Sequence, residues 1–194
     1  MDWRKYDPEA HGAKCSVCPL RSKKFVPPEG PEDPDLVIVG EAPGYQEEIK
    51  RRPFIGPSGN FLNDALRAIG GNRARIWITN TLLCRSEVPG MQGKAAFELD
   101  QFFTWLAKEN KERRKKAKEE KTGPNIIASP LECCKPRLDA ELARAESAAR
   151  ARGDPNGIVV IPMGNFALKA LTGYEGIMKW RGSVIQEGDK ERAL

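Results

Sequence analysis

Three short apolar runs, each followed by a helix-patterned segment, predict an α/β fold: an open parallel sheet between two layers of helices, three-layer αβα. The runs are "LVIVGE" (Leu36–Glu41), "RIWITN" (Arg75–Asn80) and "GIVVIPMG" (Gly157–Gly164). They show little polar alternation, as strands covered on both faces do. Each ends in an unusual loop, "GEAPG", "TNTLLC" or "PMGN". Ligands of open parallel sheets bind beyond the C-terminal strand ends, so these loops mark the functional edge.

The elements follow in order. After "CSVC", residues 19–34 are rich in Pro, Lys and Glu and read as loop. Behind the first strand, "GNFLNDALRAIG" places Phe61, Leu62, Ala65, Leu66 and Ile69 at helical spacing, closed by Gly70-Gly71. The second strand leads to a candidate helix, Phe97 to Lys108, and then to "KENKERRKKAKEEK", Lys108 to Lys121. Taken alone, that run reads as an exposed helical arm of mixed charge, a solvated face rather than a phosphate-contacting stripe. "CKPRLDAELARAESAARARG" is strongly helical after Pro136, with Cys133 and Cys134 preceding the helix. "NFALKALTG" is a short helix closed by Gly173.

The 194 residues suit one domain with a real core, and 40% hydrophobic against 30% charged residues suits a globular chain. No run approaches the roughly 18 apolar residues of a membrane span. "MDWRKYDPEAHG" lacks the apolar centre of an export signal, so a cytoplasmic, intracellular protein is expected, in a cell or a virus-infected cell. A net charge of +5 and a pI near 9.0 permit a polyanionic partner without requiring one.

Two groups carry chemistry. Five cysteines in a chain without an export signal point away from disulfides and toward ligation. Cys15 and Cys18 form a C-x-x-C pair, Cys84 follows the second strand, and Cys133-Cys134 are adjacent. Four thiolates from separated segments suit either a structural zinc ion or an iron–sulfur cluster, and spacing does not choose. The second group is the loop after Val39, which carries Glu41, Glu47, Glu48 and Phe54 where a phosphate-binding loop would offer amides and a lysine. By themselves, Glu47 and Glu48 read as ordinary exposed loop acids and Asn80 as a turn residue.

Together these residues resemble the iron–sulfur, or family 4, uracil-DNA glycosylases. Gly40-Glu41-Ala42-Pro43-Gly44, Pro53-Phe54-Ile55-Gly56 and Ser58-Gly59 match that family's first motif in register. "WITNTLLCR" resembles its second strand, "CKPRL" its last cluster segment, and "IVVIPMGNFALKALTG" with "WRG" its third strand and sequel. The resemblance spans about residues 15 to 185. It implies hydrolysis of the N-glycosidic bond of uracil in DNA, within base excision repair. A flipped uracil would stack on Phe54, and Asn80 would donate to O4 and accept from N3–H. Glu41, with Glu47 second, would stabilise the cationic sugar and orient water. Gly40 and Ala42 would let backbone amides approach the base, and Ser58 at a helix start would hold a phosphate. Cys15, Cys18, Cys84 and Cys134 would bind a 4Fe–4S cluster in a structural role.

The chain departs from the family in three places. The expected final strand and its histidine loop are missing before Leu194, and the one histidine is His11. The interval from Cys84 to Cys134 is long and holds the charged arm. Arg51 stands where glycine is common, which would alter the loop or add a phosphate contact. We therefore expect residues 1–194 to form a single glycosylase-like domain, incomplete at its C-terminus, with 108–121 as a charged insertion. The expected partner is uracil-containing DNA, with a replication protein as a further candidate and no membrane. The alternative is a non-catalytic or weakly active DNA-binding module of a larger, for instance viral, replication protein or polymerase. A zinc-stabilised nucleotide-binding protein is a third reading.

Overall fold

The computed structural model describes residues 5–187 and 190–193, with backbone alone from Gln186 onward. Residues 1–4, where the segment read for an export signal begins, and Leu194 lie outside the described residues. Three parallel strands form the sheet in the order β2-β1-β3. They are β1 (Leu36–Gly40), β2 (Ile76–Asn80) and β3 (Val159–Met163). Their register brings Gly40, Asn80 and Met163 level at the C-terminal edge.

Side chains alternate across β1, so the central strand divides the core in two. Val37 and Val39 pack with Trp77, Leu138, Leu142, Ala145 and Val160 under α4 (Pro130–Ala151) and α5 (Asn165–Thr172). Ile38 packs on the opposite face with Ile76, Ile78, Leu62 and Leu66, the last two from α2 (Pro57–Ala68). Helices thus cover both faces, and the three-layer arrangement follows from period-2 burial.

Several details differ from the sequence reading. The third strand is only half covered: Val159 is exposed, and Pro162, which has no amide to donate, sits on this edge strand. The Pro-rich segment 19–34 closes the outer edge of β2. There Glu29 exchanges backbone hydrogen bonds with Ile78 (2.9 and 2.7 Å), and Val26 donates to Leu83 O (2.7 Å). Gly30, at φ +145°, lies where a Cβ would meet Ile76 O at 2.4 Å. Finally, α4 begins at Pro130, so Cys133 and Cys134 sit in its first turns instead of ahead of it. Proline at N1 suits a helix start, and Cys133 N already donates to Ser129 O (3.0 Å).

The charged run is helical as expected, but it continues the preceding helix as one 22-residue element, α3 (Leu99–Glu120). A short helix α1 (Tyr45–Lys50) interrupts what read as loop. No fourth parallel strand occurs among the described residues. After the single turn α6 (Ile177–Trp180), β4 (Val184–Glu187) and β5 (Lys190–Ala193) form an antiparallel hairpin, and β5 lies close to β3.

One buried polar network ties α4 to the end of β2. Arg137 is fully buried. Its NH1 donates to Thr79 Oγ1 (2.9 Å) and Glu141 Oε1 (3.1 Å), and its NH2 to Asn80 O (2.8 Å) and Thr81 O (3.0 Å). Glu141 also accepts from Tyr6 OH (2.9 Å) and Trp77 Nε1 (3.1 Å). Burial works against the guanidinium charge, yet Glu141, helped by Cys134 and Tyr6, holds its pKa above the ordinary arginine value. Removing one partner of such a pair strands the other charge in the core. Arg137→Ala is expected to lower unfolding free energy by ~3–5 kcal/mol. Adding Glu141→Ala should cost less than the two single losses combined, by roughly 0.5–3 kcal/mol, in a urea-denaturation double-mutant cycle.

Candidate functional site

The level strand ends open into a cavity of about 820 Å³. Glu41, Ala42, Glu47, Phe54, Ser58 and Asn80 all line it, so six residues singled out in the sequence meet around one space. Gly40, the seventh, lies behind two of them, against the Phe54 ring and the Asn80 side chain. A Cβ there would lie 2.3 Å from Asn80 Oδ1 and 2.7 Å from the Phe54 ring. Only glycine lets the ring and the amide close over the strand end.

Phe54 is held in a left-handed conformation, φ +51°, that non-glycine residues seldom adopt. Its neighbours over-determine it. Arg73 donates to Pro53 O (2.8 Å), Phe54 O (3.2 Å) and Asn63 Oδ1 (2.9 Å). Gly59 lets the Phe54 carbonyl press against α2, where a Cβ would come within 1.9 Å. Strain kept in this way, of order 1–3 kcal/mol, is characteristic of sites that need a fixed group. Nothing in the sequence marks Arg73 as the clamp, because the two loop carbonyls it holds are brought near only by folding.

Asn80 is 4% exposed at the end of β2. Its carbonyl is held by Arg137, while its side-chain amide has no protein partner among the described residues and faces the cavity. Glu41 leaves β1 and crosses toward α5, where Oε1 accepts from Phe166 N (3.0 Å). Gly164, at φ +111°, makes room for that carboxylate, since a Cβ would come within 2.4 Å of it. Its second oxygen has no protein partner among the described residues.

Glu47 is not an exposed loop acid. It is buried on α1, and Oε1 accepts from Ile55 N (3.0 Å) and Gly56 N (2.7 Å), bracing the loop that enters α2. Glu48 pairs with Arg85 (3.4 Å), whose guanidinium lies 3.6 Å from the Phe97 ring centroid. Arg51 sits at φ +56°, which explains why glycine suits this position. Its guanidinium donates to Phe25 O and lies over the Phe25 ring (5.4 Å), inside the protein framework instead of toward a phosphate. Ser58 is exposed in the first turn of α2. His11 stacks on Tyr6 at 4.7 Å and does not line the cavity. Among the lining residues Arg181 is the one cation, a feature that "WRG" alone did not reveal.

A second hollow, about 170 Å³, is lined by all five cysteines, Cys15, Cys18, Cys84, Cys133 and Cys134. Lys14 N donates to Cys133 O (2.9 Å), and Phe25 bridges to Cys84, so three distant segments meet here. Burial first, and the neighbouring Cys134 second, pushes the Cys15 thiol up to about 11. Burial does the same for Cys84, again with Cys134 as the next cause, and for Cys18; both reach about 12. Thiols so disfavoured as thiolates require a compensating cation to ionise. Among the described residues, however, no three Cys, His, Asp or Glu side chains are arranged to hold a single metal ion.

Packing links the surroundings of the two hollows. Ala42 packs against the cluster that contains Cys18, Cys133 and Cys134, and Leu82 belongs to the same cluster two residues beyond Asn80. No helix among the described residues is long and apolar enough to cross a membrane.

Sequence comparison agrees with this geometry. The chain is similar to a type-4 uracil-DNA glycosylase of Archaeoglobus fulgidus, 44% identical over 73 residues, 37% of this chain and 37% of that protein. A type-4 uracil-DNA glycosylase of Pyrobaculum aerophilum is likewise 44% identical over 73 residues, with the same coverage of both chains. One of Thermotoga maritima is 40% identical over 74 residues, 37% of this chain and 38% of that protein. The matched segment thus spans less than half the length of these relatives. The family-level match is much broader, covering residues 27–191 with the description "Uracil DNA glycosylase superfamily". With that match running through the parallel sheet and every strand-end loop, the chain belongs to the uracil DNA glycosylase superfamily.

Proposed function

We propose that the chain is a uracil-DNA glycosylase of the type-4, iron–sulfur kind, acting inside the cell on uracil in DNA. The observation that carries this reading is the closure of the Phe54 ring and the Asn80 amide over Gly40. A flipped pyrimidine entering the cavity would stack on the ring. Its edge would meet an amide with free donor and acceptor capacity, and uracil offers O4 to the donor and N3–H to the acceptor. Cytosine presents the opposite polarity at both positions. A buried amide left mismatched in this way costs ~1–3 kcal/mol per group.

Cleavage breaks the C1′–N1 bond, and the bonding electrons leave with uracil as its N1 anion. Glu41, anchored through Oε1, would use its second oxygen against the cationic sugar and the attacking water. Water oxygen bonds to C1′, its proton passes through the carboxylate, and uracil N1 is protonated after departure. The products are free uracil and an abasic deoxyribose. Glu47, the second candidate, is better suited to keeping the Ile55–Gly56 amides and Phe54 in position. Arg181 offers the cavity a positive charge toward a flanking phosphate or the leaving anion.

The cysteine hollow gathers five thiols from three distant segments, a donor set that suits an iron–sulfur cluster. Cys15, Cys18, Cys84 and Cys134 would hold a 4Fe–4S cluster, with Cys134 preferred over Cys133 because it opens the "CKPRL" segment that resembles the family's last cluster segment. When bound, the cluster would supply cross-links between the N-terminal segment, the loop after β2 and α4.

Anaerobically purified protein is expected to be brown and to make alkali-labile sites only where an oligonucleotide carries uracil. Glu41→Gln should lower kcat by on the order of 10²-fold or more with little change in DNA binding. Asn80→Asp should allow release of cytosine, and unchanged base preference would remove Asn80 from its assigned role. A protein that binds DNA but never makes abasic sites would establish the module reading instead. Cys133→Ala should keep the visible absorption of the cluster and Cys134→Ala should lose it; the reverse result would exchange the two ligands.

A further inference from the structure

The charged arm is more ordered in its chemistry than its composition suggests. Along α3, Lys108, Lys111, Arg114, Lys115, Lys118 and Lys121 (the last at its C-cap) project within one arc of about 140° at 3.6 residues per turn. All four glutamates of the arm, Glu109, Glu112, Glu119 and Glu120, fall on the other flank. The cations of that flank are already paired, Arg113 with Glu109 (3.0 Å) and Lys116 with Glu120 (3.6 Å). The six on the basic flank are exposed, and none of their side chains has a hydrogen bond or ion pair among the described residues.

The helix is fixed along its length. Phe102 and Leu106 are buried beside the cysteine hollow. Farther out, Asn110 exchanges hydrogen bonds with Ile127 (3.0 and 2.8 Å), and Arg113 donates to Asn125 O (3.1 Å). Ala117 is buried as well, so the returning segment covers one side and leaves the basic flank facing outward. The base of α3 also reaches α5, the helix that anchors Glu41. Phe103 stacks on Phe166 at 5.1 Å, and the Phe166 amide is the donor that holds Glu41.

We propose that the basic flank of α3 is a nucleic-acid backbone track, a rigid ruler that engages DNA phosphates away from the flipped base. From Lys108 to Lys121 it extends about 20 Å at 1.5 Å per residue. Duplex DNA presents one negative charge per roughly 1.7 Å of axis, so a row of this length meets several phosphates. The glutamates on the other flank keep the opposite side of the arm from competing for the same polyanion. The proposal rests on the glycosylase reading only in taking DNA as the ligand.

The test uses a uracil-free duplex, so it does not depend on excision. Binding is measured across a salt series for the full chain and for Lys111→Gln/Lys115→Gln/Lys118→Gln. The triple variant should lower the salt slope by about 2.7 and the affinity near 0.1 M by on the order of a hundred-fold. Lys116→Gln, on the paired flank, should leave both unchanged. On uracil-containing DNA, the triple variant should raise KM while kcat at saturation and base preference stay as they were. An unchanged slope in the triple variant would overturn the track. So would loss of binding to phosphatidylserine vesicles with DNA binding intact, which would assign the flank to a lipid surface. If no uracil is released by any form but the slope still falls, the track stands and the catalytic reading fails.

Discussion

The burial of Arg137 against the end of β2 is the constraint on which the rest of the site depends. A guanidinium with no access to water must find partners for nearly all its donors. It finds them in the Asn80 and Thr81 carbonyls, Thr79 and Glu141, which places α4 against the strand that carries Asn80. The same helix carries Cys133 and Cys134 in its first turns. One residue therefore ties the helix that carries two of the cysteines to the strand end that opens on the larger cavity. Tyr6 and Trp77, by hydrogen bonding to Glu141, bring the N-terminal segment and the sheet into the same arrangement.

The cavity is shaped as much by missing side chains as by present ones. Gly40 makes room for Phe54 and Asn80, Gly59 for the Phe54 carbonyl, and Gly164 for the Glu41 carboxylate. At each of the three positions a Cβ would lie under 3 Å from its neighbour, far closer than van der Waals contact. These glycines do more than permit turns. They let three strand-end loops converge without the sheet splaying, so that an aromatic ring, an amide and a carboxylate share one space. Glu47 and Arg73 then hold the ring from two sides through backbone groups.

Much of this was legible in the sequence, and the reason is local. Strands covered on both faces must be continuous apolar runs, and loops after parallel strands must gather at one edge, so Glu41, Phe54 and Asn80 could be placed together before any coordinates. What stayed hidden was pairing across long separations. Arg137 and Glu141 look like an ordinary surface i,i+4 pair on a helix, and Arg73 looks like a polar residue after a helix end. The Pro-rich segment looks like a free loop, although it closes the edge of β2. In the arm, spacing held the answer, but summing its charge concealed the segregation that helical geometry reveals.

By itself, the sequence determined the sheet, its C-terminal edge and the residue types carried by the loops there, because periodicity and glycine placement are written residue by residue. Only the tertiary structure decided which of those residues are free to act. Glu47 is occupied by amides and Arg51 by an inward carbonyl and ring, whereas among the described residues nothing takes the second oxygen of Glu41 or the side-chain amide of Asn80. The physical reason is that a polar group's availability depends on what else has been buried beside it, and only the packed chain determines that.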